Sequence, residues 1–475
     1  MYDVAIIGCG VIGAAVAHAL ARVQLKTIIL EKENDVGDVT TKANSGIIHA
    51  GYDSKPGTRM AELNVRGSAM MEELCQNLSV PYKRIGSLVL AFDERDWGTL
   101  ERLYKQAQTN GVPGVELLDA AAVREKEPQI SDSVVGALYA PTAAVVDPWQ
   151  LCIAMAENAV TNGAELRLDC PVSAIRKTGS GYVLTTPNGE VEARFVVNAA
   201  GLRADEVHNM AANPSFTIRP NKGEYYLLDK SQGALVNHVV FQCPTEAGKG
   251  VLVAPTVHGN LIVGPNAQDV DCVEDVANTQ EGLDFVRSSA LKSVPCIGFR
   301  ESIRNFAGLR AHSNQDDFII SEADGFVDLA GICSPGLSSA PAIGEACVGL
   351  LEDCGLAMSG KEQWVSTRYQ VHFKELPAEE KRKLIENNPL YGRIICRCET
   401  VTEGEIMDAL HSPIPPRTLD GVKKRCNAGL GRCQGGFCGP RVQEMIGREL
   451  GIPMEEVLQG KAGSYIITGR TKGGN

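Results

Sequence analysis

Six residues near the start, Gly8-Cys9-Gly10-Val11-Ile12-Gly13, constrain this chain more than any other segment. They follow an apolar run, Val4-Ala5-Ile6-Ile7, and precede an alanine-rich stretch to Arg22. Lys26 to Leu30 then forms a second strand-like run that ends at Glu31. Strand, glycine turn, helix and strand in that order make a βαβ unit. In a G-x-G-x-x-G turn the first glycine permits the bend, the second lets a pyrophosphate approach the backbone, and the third lets helix pack on strand. The helix N-terminus favours the phosphates. Glu31, 23 residues after Gly8, stands where a carboxylate accepts the ribose hydroxyls of an adenosine. Gly8, Gly10, Val11, Ile12, Gly13, Glu31 and the adjoining Lys32 therefore predict a dinucleotide cradle. The turn alone leaves NAD and FAD both open.

With 475 residues, 44 % of them hydrophobic, the chain can bury a large core in about two to four domains. Its formal net charge of −12 argues against nucleic acid as a partner, since phosphate binding is dominated by basic surface. No apolar run approaches the roughly 18 to 20 residues that span a bilayer. The first strand begins so close to Met1 that no cleavable leader fits before it. A cytoplasmic protein is expected, with any attachment to the inner face of the membrane peripheral and through partners.

Further strand-like segments are Phe195 to Asn198, ending in Ala199-Ala200-Gly201, and Gly325 to Ala330, ending in Gly331 and the turn Ser334-Pro335-Gly336-Leu337. Leu88 to Phe92, Gly223 to Leu228, Gly250 to Pro255 and Asn260 to Val263 read as strands of a separate mixed sheet. The expected fold is α/β (α+β overall). Residues 1–80, 141–215 and 300–355 form a discontinuous Rossmann-like domain, and 81–140 with 216–299 a mixed-sheet substrate domain. A charged helical linker covers 356–390, a small helical domain 391–460, and a polar tail 461–475.

Ten of the fifteen cysteines are scattered singly, as buried small residues are; the other five crowd the C-terminal region. Cys396-Arg397-Cys398 and Cys433-Gln434-Gly435-Gly436-Phe437-Cys438 give C-x-C and C-x4-C pairs separated by 34 residues. Four thiolates hold a [2Fe-2S] cluster, and surrounding glycines let backbone amides approach its sulfurs. A zinc ion on the same four thiolates is the alternative, although C-x2-C spacing is more usual there. Cys426 falls outside the pattern, as a spare buried thiol or a substitute ligand.

The segment Thr40-Thr41-Lys42-Ala43-Asn44-Ser45-Gly46-Ile47-Ile48-His49-Ala50-Gly51-Tyr52-Asp53, with Pro56-Gly57-Thr58, resembles the signature of the glycine-oxidase and D-amino-acid-oxidase superfamily. Within it the likeness is to glycerol-3-phosphate dehydrogenases and oxidases and L-2-hydroxyglutarate oxidases. Asn198-Ala199-Ala200-Gly201, Lys222 to Tyr226, Gly308-Leu309-Arg310 and Ser334 to Pro341 extend it across residues 1–355. Ile395 to Ile406 with Cys433 to Gly439 is similar to bacterioferritin-associated-ferredoxin-like domains, which end the large subunit of anaerobic glycerol-3-phosphate dehydrogenases.

The resemblance implies FAD as cofactor, with Thr41, Asn44, Ser45, Ile48, Val172, Ala200, Gly201, Gly308, Gly336, Leu337 and Ser338 joining the cradle residues around it. It implies oxidation of sn-glycerol 3-phosphate to dihydroxyacetone phosphate by an FAD-dependent dehydrogenase. Electrons then pass through a [2Fe-2S] centre to a partner protein or quinone. His49 is the candidate base, with His312 in reserve, and Arg310 the forked cation for the substrate anion. Lys222 and Ser338 are further substrate-side candidates. Two rivals stay open: a 2-hydroxy acid such as L-2-hydroxyglutarate as substrate, or a non-catalytic electron-transfer subunit.

Overall fold

The runs Val4–Ile7 and Thr27–Leu30 carry almost no polar residues because both faces of their sheet are covered. In the computed structural model, which describes residues 1–244 and 250–469, strand Tyr2–Ile7 lies between Thr27–Leu30 and Gly189–Asn198, parallel to both. Glu165–Arg167 and Phe326–Ala330 continue the parallel row on either side. Antiparallel strands complete an eight-stranded sheet among the described residues. Helices Val11–Leu20, Pro148–Thr161 and Gly336–Asp353 pack together on one face. Asp147 starts the second of these, its carboxylate accepting from the N–H groups of Trp149 and Gln150 ahead of Pro148 at the first turn.

Among the described residues a nine-stranded sheet forms the second layer system. Its side chains alternate between two cores: Val239 and Phe241 enter one with Tyr225, Leu100 and Ile47, while Val240 enters the other with Val286 and Ala290. Segment 300–355, expected whole in the nucleotide domain, is divided. Strand Ser302–Ser313 pairs along its length with Ile218–Leu228 in the nine-stranded sheet, and only Ile319 onward joins the nucleotide sheet. Tyr82–Arg84, expected in the substrate domain, instead pairs with Ala144–Val146, which also binds Ile47–Ile48. Both departures arise where the two domains abut, and local sequence pattern does not say which sheet an apolar strand will choose.

Between 356 and 390, helix is confined to Phe373–Glu375, Ala378–Asn387 and the start of Pro389–Gly392. The preceding stretch spends its hydrogen bonds on the nucleotide domain: Lys361 N donates to Arg22 O at 2.9 Å, Arg368 N to Asn77 O at 2.9 Å, and Lys361 Nζ to Ala21 O at 2.8 Å. Arg368 also pairs with the buried Glu157 at 2.6 Å. The C-terminal domain sets strands Ile394–Cys396 and Val401–Thr402 against helices Glu403–Leu410, Leu419–Cys426 and Gly439–Leu450 around Ile406, Val422 and Ile446. Thr402 and Glu405 close a reciprocal capping box at the first helix. The expected tail beyond Gly469 lies outside the described residues. Among the described residues no helix is long and apolar enough to cross a membrane.

Candidate active site

A cavity of about 1040 Å³ opens at the C-terminal edge of the parallel strands, at the upper end of the size range of cofactor sites. Gly8, Gly10, Val11 and Ile12 form one wall, and Glu31, Lys32 and Val172 stand at one end. Ala200, Gly201 and Gly308, with the loop residues Thr41, Asn44 and Ser45, supply the rest of the expected set that reaches it. The cradle demands glycine: a Cβ on Gly8 would meet Ala199 O at 2.6 Å, and one on Gly13 would meet Gly8 O at 2.0 Å. Gly13 thus packs helix on strand and does not line the cavity. Glu31 accepts from Cys9 N at 2.7 Å and Glu33 N at 2.9 Å. Burial pushes its carboxyl up against the pull of those N–H groups. Thr41 Oγ1 accepts from Val11 N at 3.0 Å, tying the loop to the helix start. Asn44 fixes the turn below it, donating to Thr41 O at 2.7 Å and accepting from Gly46 N at 2.8 Å. These residues fit an extended dinucleotide with its pyrophosphate at the glycine turn.

Ile48, Gly336, Leu337 and Ser338 sit behind the cavity wall. Ile48 is fully buried, paired with Ala144. Gly336 opens its helix against Ile332, which does line the cavity, and Leu337 packs in the core beneath. Ser338 Oγ accepts from His49 N at 2.8 Å, so it holds the His49 backbone. The His49 ring stacks on Phe241, 5.7 Å between centroids, with Nε2 3.4 Å from Ser334 Oγ.

Arg310 stands on the strand edge next to the loop 40–44. Gly308 allows that approach, since a Cβ there would lie 1.9 Å from Ala43 O. Arg310 Nη1 donates to Asn221 Oδ1 at 2.6 Å and Nη2 to Asn266 O at 3.3 Å, and the guanidinium also bonds the Tyr225 phenol. Tyr225 in turn stacks on Phe306. By strand register Asn221, Tyr225, Phe306 and Arg310 share one face, where Tyr225 and Phe306 pack in the core that also holds Phe241, the ring that His49 stacks on. Lys222 points to the opposite face and pairs with Asp275 at 3.0 Å, so the structure does not bring it to Arg310. His312 is exposed near the strand's end.

The four cysteines of the C-terminal domain come together as two thiol pairs. Cys398 Sγ lies 3.5 Å from Cys433 Sγ, and Cys396 shares a hydrogen bond with Cys438. That bond holds the Cys396 thiol down to about 6, helped by N–H groups of Gly429 and Glu399. Gly431 leaves room for this, because its Cβ would fall 2.3 Å from Cys398 Cβ. Among the described residues no three His, Cys, Asp or Glu side chains are grouped to hold one metal ion. Two pairs suit two irons better than a single tetrahedral zinc. Cys426 stays apart, its thiol donating to Val422 O at 3.3 Å and pushed up to about 12 by burial.

Sequence reasoning missed several cavity residues. Trp149 lines it and donates through Nε1 to Lys42 O at 2.8 Å; the Asp147-Pro148 helix start was the available clue. His258 lines it from the second sheet and bonds Asp147 at 2.8 Å. Asp420, Lys423, Lys424 and Leu430 reach it from the C-terminal domain, and Lys461 from the start of the expected tail.

Residues 3–350 match the FAD dependent oxidoreductase family, DAO, and residues 394–448 the BFD-like [2Fe-2S] binding domain. Glycerol 3-phosphate dehydrogenase of Caloramator mitchellensis is 50 % identical over 476 residues, 99 % of this chain and 99 % of that protein. Glycerol 3-phosphate oxidase of Mycoplasma genitalium is 32 % identical over 76 % of this chain and 97 % of its own length. The dithionite-reduced, FAD-bound L-alpha-glycerophosphate oxidase of Mycoplasma pneumoniae superposes with a TM-score of 0.74 at 31 % identity, covering 78 % of this chain and 98 % of that one. The cradle, the cavity and the paired thiols thus have named counterparts: the chain belongs to the FAD dependent oxidoreductases, binds FAD, and carries a BFD-like [2Fe-2S] domain at its C-terminal end.

Proposed function

We propose that the protein oxidises sn-glycerol 3-phosphate to dihydroxyacetone phosphate and sends the electrons through its [2Fe-2S] centre to a separate acceptor. The observation that carries this reading is Arg310, whose described hydrogen-bond partners are all neutral, on the sheet face whose core also takes in Phe241, the ring that His49 stacks on. An arginine held by amides and a phenol keeps its charge for a ligand anion, and its planar fork matches phosphate. FAD, when bound, supplies a two-electron hydride acceptor. His49 takes the hydroxyl proton at Nε2, where Ser334 Oγ is its neighbour, while Phe241 shields the ring and Ser338 fixes the backbone. The full-length similarity to a glycerol 3-phosphate dehydrogenase, both domains included, supports the same substrate.

The acceptor is a partner protein or a quinone. The loop between the last two thiols offers it a contact, for Phe437 is 83 % exposed beside Cys438. The substrate and the role of His49 are tested by anaerobic titration of the purified protein. Glycerol 3-phosphate should bleach the flavin band, and His49→Ala should slow that bleaching by about 10² to 10⁴ with FAD retained. Bleaching only by L-2-hydroxyglutarate would replace the substrate, and bleaching by neither would leave an electron-transfer subunit.

A further inference from the structure

The cavity is not closed by the nucleotide domain alone. Lys461 Nζ stands 3.5 Å from Glu33, two residues past the ribose carboxylate Glu31, and Asn34 donates to Gly460 O at 2.9 Å. Next along the cleft, Lys424 spans Asp35 at 2.9 Å and Asp38 at 3.1 Å. Arg425, 1 % exposed, forks onto Asp35 at 2.9 and 3.0 Å. At the far end Asp420 and Lys423, together with Arg304, form a wall common to this cavity and a second one of about 290 Å³ lined by Cys438 and Gly429. The aspartates gripped by the C-terminal domain belong to a loop that is itself bound to the glycine turn, Gly37 N donating to Cys9 O at 2.9 Å.

Asp35 and Asp38 would repel the negative pyrophosphate that the turn is built to receive. Arg425 and Lys424 neutralise Asp35 from outside the nucleotide domain, and Lys424 shares Asp38 with Lys42, 3.0 Å away in the same loop. A buried guanidinium forked on a carboxylate does not separate cheaply, because each charge would be left unpaired in a medium of low dielectric constant. We propose that the iron–sulfur domain is a wall of the FAD site: docked through Arg425 and Lys424, it encloses the dinucleotide, and FAD leaves only when the domain undocks. The same contact sets the thiol-lined cavity against the flavin cavity, with Arg304, Asp420 and Lys423 between them. This inference rests on FAD in the cleft and is independent of the substrate.

The test is FAD release from the intact holoenzyme, followed as the rise of free-flavin fluorescence after dilution. Arg425→Met should release FAD roughly tenfold faster or more, while the iron–sulfur absorption and the far-ultraviolet circular dichroism persist. Lys461→Met, which breaks only a half-exposed pair at the adenosine end, should raise the rate about two- to fivefold. Release from Arg425→Met within about twofold of the parent would overturn the proposal. Should that variant fail to fold, Lys461→Met decides alone, and an unchanged rate there overturns it.

Discussion

Asp35 keeps a charge that burial alone would suppress. Desolvation pushes its carboxyl up, but Arg425 and Lys424 outweigh this and hold it well below the usual carboxylate range. Its value in the unfolded chain is about 3.9, so the folded value is the lower of the two. The stabilisation is therefore complete above about pH 4 and is lost as pH falls through the folded value. Asp35→Asn should cost about 3–5 kcal/mol at neutral pH, since among the described residues it leaves the buried Arg425 only Glu157, 4.0 Å away, as a carboxylate partner. It should also flatten the acid limb of stability below about pH 4, as read from denaturation midpoints at a series of pH values. Ser338 shows a quieter dependence at this scale: its hydroxyl touches no cavity wall, yet it holds the His49 backbone.

At the scale of elements, helix Val11–Leu20 lies on its strand only because Gly13 has no side chain to strike Gly8 O. Gly13→Ala should push the helix away, at a cost of about 1–3 kcal/mol and with weaker FAD retention, both measurable by thermal unfolding with and without added FAD. This part of the molecule was legible in the sequence. Strand, turn, helix and Glu31 are neighbours along the chain, and their spacing carries their geometry. Arg310 and Lys222 were harder. Both lie on long strands, but without the register of Ser302–Ser313 against Ile218–Leu228 nothing says that they face opposite ways. The same missing register put residues 302–313 with the nucleotide domain.

For the whole molecule, the two redox sites are separable by mutation. Cys433→Ser should abolish the iron–sulfur absorption and electron delivery to an external acceptor while glycerol 3-phosphate still bleaches the flavin. Absorption spectra before and after anaerobic substrate addition check both halves. The thiol spacing announced this domain from sequence, whereas its grip on the cofactor cleft was hidden: Lys424 and Asp38 are 386 residues apart, and only the folded chain joins them. The segment between the two domains bears on how current leaves the protein. Lys361 and Arg368 staple it to the nucleotide domain along its course. A tether so pinned disfavours a ferrying arm that picks up charge at one place and delivers it elsewhere. While docked, the iron–sulfur end is a fixed terminal, and a collector of its electrons would have to make the journey.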